Sequence, residues 1–119
     1  MSIQIDVIVM SGVYDGEVFS FAFDNPEQAV IHFGRDETND VRITTDGTIS
    51  RHHALIAYRE GLWWLEDLDS KNGTFIEHHT MTGHDIPVYG IVQLTAEQLF
   101  RIGKTWFRFQ PYEWHATSG

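Results

Sequence analysis

The sequence predicts an all-β chain folded as an antiparallel β-sandwich of about 10–11 short strands. Three observations predict it. Apolar residues recur with period 2, as in Ile3, Ile5, Val7 and Val9 and again in Phe19, Phe21 and Phe23, which gives each segment one apolar face. Turn residues separate almost every such segment. No stretch of about 11 residues or more holds a 3.6-residue apolar stripe.

Taken in order, Ile3 to Val9 reads as a half-buried strand, and Tyr14-Asp15-Gly16 as a tight turn into the return strand of Phe19 to Phe23. Asp24-Asn25-Pro26 ends that strand because proline cannot donate to a ladder. Strands are then expected at Ala29 to Phe33, Val41 to Ile43, His53 to Tyr58, Leu62 to Glu66, Ile91 to Leu94, Phe100 to Ile102 and Trp106 to Phe109. The turns between them are Asp36 to Asp40, Asp46-Gly47, Glu60-Gly61, Asn72-Gly73 and Gly103-Lys104. Helical stubs are expected at Pro26 to Ala29 and Thr95 to Gln98 and nowhere else. No repeat, linker or low-complexity block interrupts the chain. Residues 1–112 read as one domain and 113–119 as a polar, frayed tail.

A chain of 119 residues buries one core, so one principal site is expected. No apolar run approaches the roughly 20 residues that span a bilayer, and Met1 to Met10 alternates where a signal peptide would be continuously apolar. No membrane partner is expected. The absence of cysteine excludes disulfides, thiolate metal sites and a cysteine nucleophile, and fits a reducing compartment, so the cytoplasm is the expected location. A formal charge of −9 with 8 Lys and Arg argues against a nucleic-acid partner, which would need many cationic contacts.

That acidity does not exclude a phosphate ligand. Over a Debye length of ~8 Å the dispersed charge repels a surface phosphate by roughly 1 kcal/mol or less. One Arg at ~4 Å returns about 4 kcal/mol per unit charge at an effective dielectric of 20, so the local pocket outweighs the global field.

Three loop segments put donors or special backbone geometry where strands end: Gly34-Arg35, Ser50-Arg51-His52-His53 and Ser70-Lys71-Asn72-Gly73-Thr74. Alone, Arg35 reads as a solvated loop residue, Ser50 as a turn serine and Asn72-Gly73 as a plain turn. In this order and spacing, with strands between them, they resemble the forkhead-associated (FHA) domain, a phosphothreonine-recognition module. The likeness covers nearly the whole chain, and its most specific piece is the run from Asp67 to Thr74.

The resemblance implies a non-enzymatic sandwich that needs no cofactor and binds a phosphothreonine-containing peptide with loops at one end, in Ser/Thr-kinase-dependent signalling or assembly. It assigns phosphate contacts to Arg35 and Ser50. A planar guanidinium fork suits a dianionic tetrahedral group, and the serine hydroxyl would donate to a phosphate oxygen. Lys71 stands where the family usually has a small polar residue next to the phosphate, and either adds a point charge there or points to water. Arg51 and Asn72 are assigned to the peptide main chain, and Gly34, His53 and Gly73 to support of the site. FHA domains commonly sit inside larger proteins, so other domains of a longer chain are further expected partners. Charge-assisted hydrogen bonds of ~1.5 to 3 kcal/mol each against an association cost of 4 to ~15 kcal/mol mean that phosphate contacts need the main-chain contacts beside them. Micromolar affinity, about 8 kcal/mol net, is then within reach.

The chain departs from the family pattern after Phe75-Ile76, where a second Asn-Gly turn is replaced by Glu77-His78-His79-Thr80-Met81 and a longer connection to Val88. Three rival readings follow from the residues. His78, His79 and His84 with Asp85 offer metal ligands, although adjacent strand residues point to opposite faces. Ser50 and His53 with a distant Asp offer a hydrolase triad, but without a nucleophile elbow. An FHA-like domain associating without phosphate is the stronger rival, and Trp63, Trp64, Trp106 and Trp114 discriminate. A large exposed aromatic patch favours it, whereas an open pocket around Arg35 favours phosphopeptide binding.

Overall fold

The computed structural model describes residues 2–78 and 85–114. Among the described residues eleven strands form two packed sheets: β1 (Ser2–Val9), β2 (Val18–Phe23), β3 (Val30–Gly34), β4 (Val41–Arg42), β5 (Ala54–Arg59), β6 (Leu62–Asp67), β7 (Thr74–Glu77), β8 (Asp85–Pro87), β9 (Ile91–Leu94), β10 (Leu99–Ile102) and β11 (Thr105–Trp114). One sheet runs β2-β1-β11-β10-β7-β8 and the other β4-β3-β5-β6-β9. The sandwich and its strand number are as the sequence predicts.

The alternation in β1 does what period 2 requires: Ile3, Ile5, Val7 and Val9 are buried and their neighbours are not. Facing them, Phe33 meets Phe100 and Phe107 edge-on, each with ring centroids 5.6 Å away. Trp63 bridges Tyr58 and Phe109 at 4.9 and 5.4 Å. Such contacts add to the burial of each ring. Phe19, Phe21 and Phe23 are only half-buried, because β2 is an edge strand packed against the rim of the core.

Four details differ from expectation. The sandwich is not wholly antiparallel: β4 runs parallel to β3, pairing Phe33 with Val41 and Gly34 with Arg42. The short return is possible because the Asp40 carboxylate accepts the His32 N–H at 2.8 Å and Ile43 N–H reaches the Gly34 carbonyl at 3.1 Å. The first hairpin has its tight turn at Tyr14-Asp15-Gly16, closed by the Glu17 N–H on the Tyr14 carbonyl at 2.9 Å, but the turn sits inside a longer loop, 10–17, with Gly12 and Gly16 at φ 79° and 93°. Thr95 to Gln98 is a turn, not a helical stub, because Glu97 at φ 67° ends any helical path; Pro26–Gln28 is one turn of 3-10 helix capped by Asn25.

The last difference is length. β11 continues to Trp114, two residues into the segment read as tail, because β1 offers partners as far as Ser2. Pro111 is tolerated there. The N–H and carbonyl of Phe109 both face the turn at Glu97 and Gln98, so the missing donor two residues on faces the same side, beyond the end of β10.

Candidate functional site

The site is built outward from the buried ring of Phe33. That ring fixes the end of β3 and delivers Gly34 to a place where only glycine fits: a Cβ there would overlap the Arg51 carbonyl oxygen and lie 2.6 Å from the Asn39 amide nitrogen. Asn39 closes the contact by donating to the Arg51 and Asp36 carbonyls at 2.7 and 2.9 Å. Arg35 follows. Its N–H meets the Ser50 carbonyl at 3.1 Å and its Nε donates to the Ile49 carbonyl at 2.6 Å, which fixes the guanidinium and leaves its terminal nitrogens without a partner among the described residues.

Ser50 is held from both sides. Its N–H donates to Nδ1 of His53 at 3.0 Å, and its hydroxyl oxygen accepts the Lys71 N–H at 3.1 Å. With that oxygen accepting, the hydroxyl proton is available to a ligand. His53, wholly buried, uses its other nitrogen to donate to the Gly73 carbonyl at 2.8 Å. Burial pushes its pKa below the ordinary value, against the opposing pull of the Gly73 carbonyl and the charges of Asp67 and Asp46.

Two carboxylates anchor these loops. Burial acts to raise the pKa of Asp67, but hydrogen bonds from Ser70 and Thr74 outweigh it and hold the group below its ordinary value; the two hydroxyls each donate at 2.6 Å. The Ser70 hydroxyl oxygen in turn accepts the Gly73 N–H at 3.0 Å, and Gly73 sits at φ 90°, which favours glycine. Asp46 is lowered in the same way, burial being outweighed by donors from Thr48, Thr105 and Lys104. It ties the loop before Ser50 to the turn between β10 and β11, through the Lys104 N–H at 2.9 Å and the Thr105 hydroxyl at 2.8 Å.

The structure thus brings together all eight residues singled out by sequence. Arg35, Ser50, Lys71, Asn72, Arg51, His53 and Gly73 lie on adjoining loops at one end of the sandwich, and Gly34 ends β3 beside them. Asn72 has part of its capacity committed, since its amide donates to the Thr48 carbonyl at 2.9 Å; a second N–H and the amide oxygen remain. The Lys71 ammonium is exposed, with no partner among the described residues.

Arg42, Asn39, Asp46 and Asp67 were given no role at the sequence level. Asp46-Gly47-Thr48 and Asp67-Leu68-Asp69-Ser70 carry the local pattern of a carboxylate accepting donors two and three residues on, which is a legible signal. Arg42 has no such signature. Its place beside Arg35 depends on the parallel β3–β4 pair, with its Nε donating to the Arg35 carbonyl at 3.0 Å.

Arg35, Arg42 and Arg51, with Asp36 and Glu37, line an open depression of about 330 Å³. The 45–48 segment lines a larger hollow of about 540 Å³ together with Val13, Tyr14 and Lys104, among others. That hollow contains no guanidinium. Among the aromatic discriminators, Trp63 is buried in the core and Trp64 is half-buried, donating to the Arg59 carbonyl at 3.4 Å. Trp106 is half-buried too, within reach of the Arg101 guanidinium at 5.7 Å. The side chain of Trp114 lies outside the described residues, as do His79 and His84 of the metal reading. Asp85 is paired with Arg101 at 2.8 Å, and no group of three metal-ligating side chains occurs among the described residues.

A family model for the FHA domain matches residues 31–103, more than half of the chain. The chain belongs to the FHA family. Solved FHA domains share the fold: one from Arabidopsis thaliana is 23% identical with a TM-score of 0.74, covering 98% of this chain and 91% of that one. One from Chlamydia trachomatis is 27% identical with a TM-score of 0.70, covering 92% and 99%. Mycobacterium tuberculosis EmbR, solved with a low-affinity phosphopeptide, is 23% identical with a TM-score of 0.70; the match covers 90% of this FHA chain but 24% of EmbR. No curated protein matches it.

Proposed function

We propose that this FHA domain is a non-enzymatic module that binds phosphothreonine peptides and so couples a Ser/Thr kinase to protein assembly. Arg35, Ser50 and Lys71 take the phosphate, and Arg51 and Asn72 take the peptide main chain. The observation that carries the reading is the state of Arg35 and Ser50. Each is fixed by main-chain hydrogen bonds and keeps its remaining donors for a ligand, and Arg35 lines an open depression. Donors fixed in advance lose little freedom on binding. The phosphopeptide in the solved EmbR complex supports the reading by analogy.

The open depression at Arg35, with Trp63 in the core, favours this reading over phosphate-independent association. A degenerate phosphothreonine peptide library tests it against its unphosphorylated counterpart. Retention of the phosphorylated library alone is expected. Equal retention of both, or of neither, removes the proposal.

A further inference from the structure

We infer that Arg42, with the part of the Arg51 guanidinium not used on the peptide main chain, forms a second anion subsite beside Arg35, which takes an anionic side chain flanking the phosphothreonine. The inference rests on the reading above, in which Arg35 holds the phosphate.

Charge placement is the first argument. The chain has 8 basic residues against 17 acidic ones, yet three guanidiniums line this one depression. Arg42 is oriented by the main chain and not by a carboxylate, since its Nε meets the Arg35 carbonyl while Arg35 itself meets that of Ile49. Among the described residues the only arginine in an ion pair is Arg101. The terminal nitrogens of Arg42 and the whole Arg51 guanidinium are therefore available.

Distance is the second. A phosphothreonine carries about −1.5 to −2 charges at neutral pH, which Arg35 and Lys71 match. Arg42 and Arg51 then remain, in the depression that Asp36 and Glu37 also line, and among the described residues neither carboxylate forms an ion pair with them. Asp36 already lies 3.4 Å from His52. A peptide anion within hydrogen-bond distance of Arg42 and Arg51 gains more than carboxylates that pair with neither guanidinium cost it, because the interaction falls off with distance. A glutamate or aspartate and a second phosphorylated residue supply the same chemistry.

The test uses three singly labelled peptides of equal length: phosphothreonine with neutral flanks, with glutamate flanks, and with a second phosphothreonine nearby. Anisotropy titrations compare wild type, Arg42→Ala and Arg42→Glu. Wild type is expected to favour an anionic flank by about 3- to 10-fold, in keeping with exposed but multiple charge contacts, and the advantage should shrink in high salt. Arg42→Ala should abolish the advantage while holding the neutral-flank affinity within about twofold. Arg42→Glu should shift preference to lysine flanks, a reversal that a purely structural role does not produce. Whether glutamate or only the second phosphate gains identifies the source of the anion.

Equal wild-type affinities for all three peptides overturn the subsite and leave phosphate binding intact. A uniform loss in Arg42→Ala also overturns it, assigning Arg42 to the support of Arg35. Failure of every phosphorylated peptide overturns the proposed function, and the subsite with it.

Discussion

His53 accepts the backbone N–H of Ser50 on Nδ1 at 3.0 Å. Its Nε2 must then carry the proton, because that nitrogen faces the Gly73 carbonyl at 2.8 Å. One neutral tautomer satisfies both loops, and protonating Nδ1 would set N–H against N–H. The ring is thus a bridge between the loop of Ser50 and the loop of Lys71 and Asn72.

Stability is expected to fall on mild acidification. The folded pKa of His53 lies below the ordinary 6.5, so between those values the unfolded chain binds the additional proton, and the contribution present above pH 6.5 is lost as pH falls through the folded value. The carboxylates act lower. Asp46 and Asp67, both held below 3.8, lose their contribution as pH drops beneath that value. Urea midpoints of wild type and His53→Gln from pH 7.5 downward should converge as the pH falls; a constant gap contradicts the account.

Gly34→Ala should destabilise the fold by about 1–3 kcal/mol, the ordinary cost of overpacking. The added Cβ meets the Arg51 backbone, which cannot swing away, and the Asn39 side-chain amide, which is held by its bonds to the Asp36 and Arg51 carbonyls. Denaturant unfolding measures the loss, and a variant as stable as wild type would show that the 35–40 loop yields freely.

Asp67→Ala should cost about 2–3 kcal/mol, since hydrogen bonds to a charged acceptor contribute more than neutral ones. It leaves the Ser70 hydroxyl and the wholly buried Thr74 hydroxyl without their acceptor. Asp67→Asn, which keeps one acceptor oxygen, should recover part of the loss. Thermal unfolding of the two variants should rank them in that order.

Peptide binding should weaken between pH 7.5 and 5.5. The second pKa of a phosphate ester lies near 6, so the lower pH removes charge from the ligand in front of Arg35. Calorimetry at the two values, with tryptophan fluorescence to confirm the fold, measures the effect. Equal affinities would count against a dianionic ligand.

The strands with period-2 alternation were legible because one face of each is buried, as in β1, and the site loops because their donors cluster at strand ends. What was not legible came from tertiary pairing. The parallel return of β4 depends on the Asp40 carboxylate reaching His32, which no local pattern announces, and Arg42 enters the site only through that return. The extension of β11 past Pro111 depends on the length of β1. The role of Asp46 spans the distance to Lys104 and Thr105, far outside any window that reads turns.

The central claim is that Arg35 holds a phosphate. Calorimetric titration of wild type, Arg35→Ala and Arg35→Lys with one phosphothreonine peptide selected from the library tests it most directly. The account predicts phosphate-dependent binding in wild type, loss in Arg35→Ala, and weak residual binding in Arg35→Lys, where the charge remains without the planar fork or the bond to Ile49. Undiminished binding by a folded Arg35→Ala would contradict it.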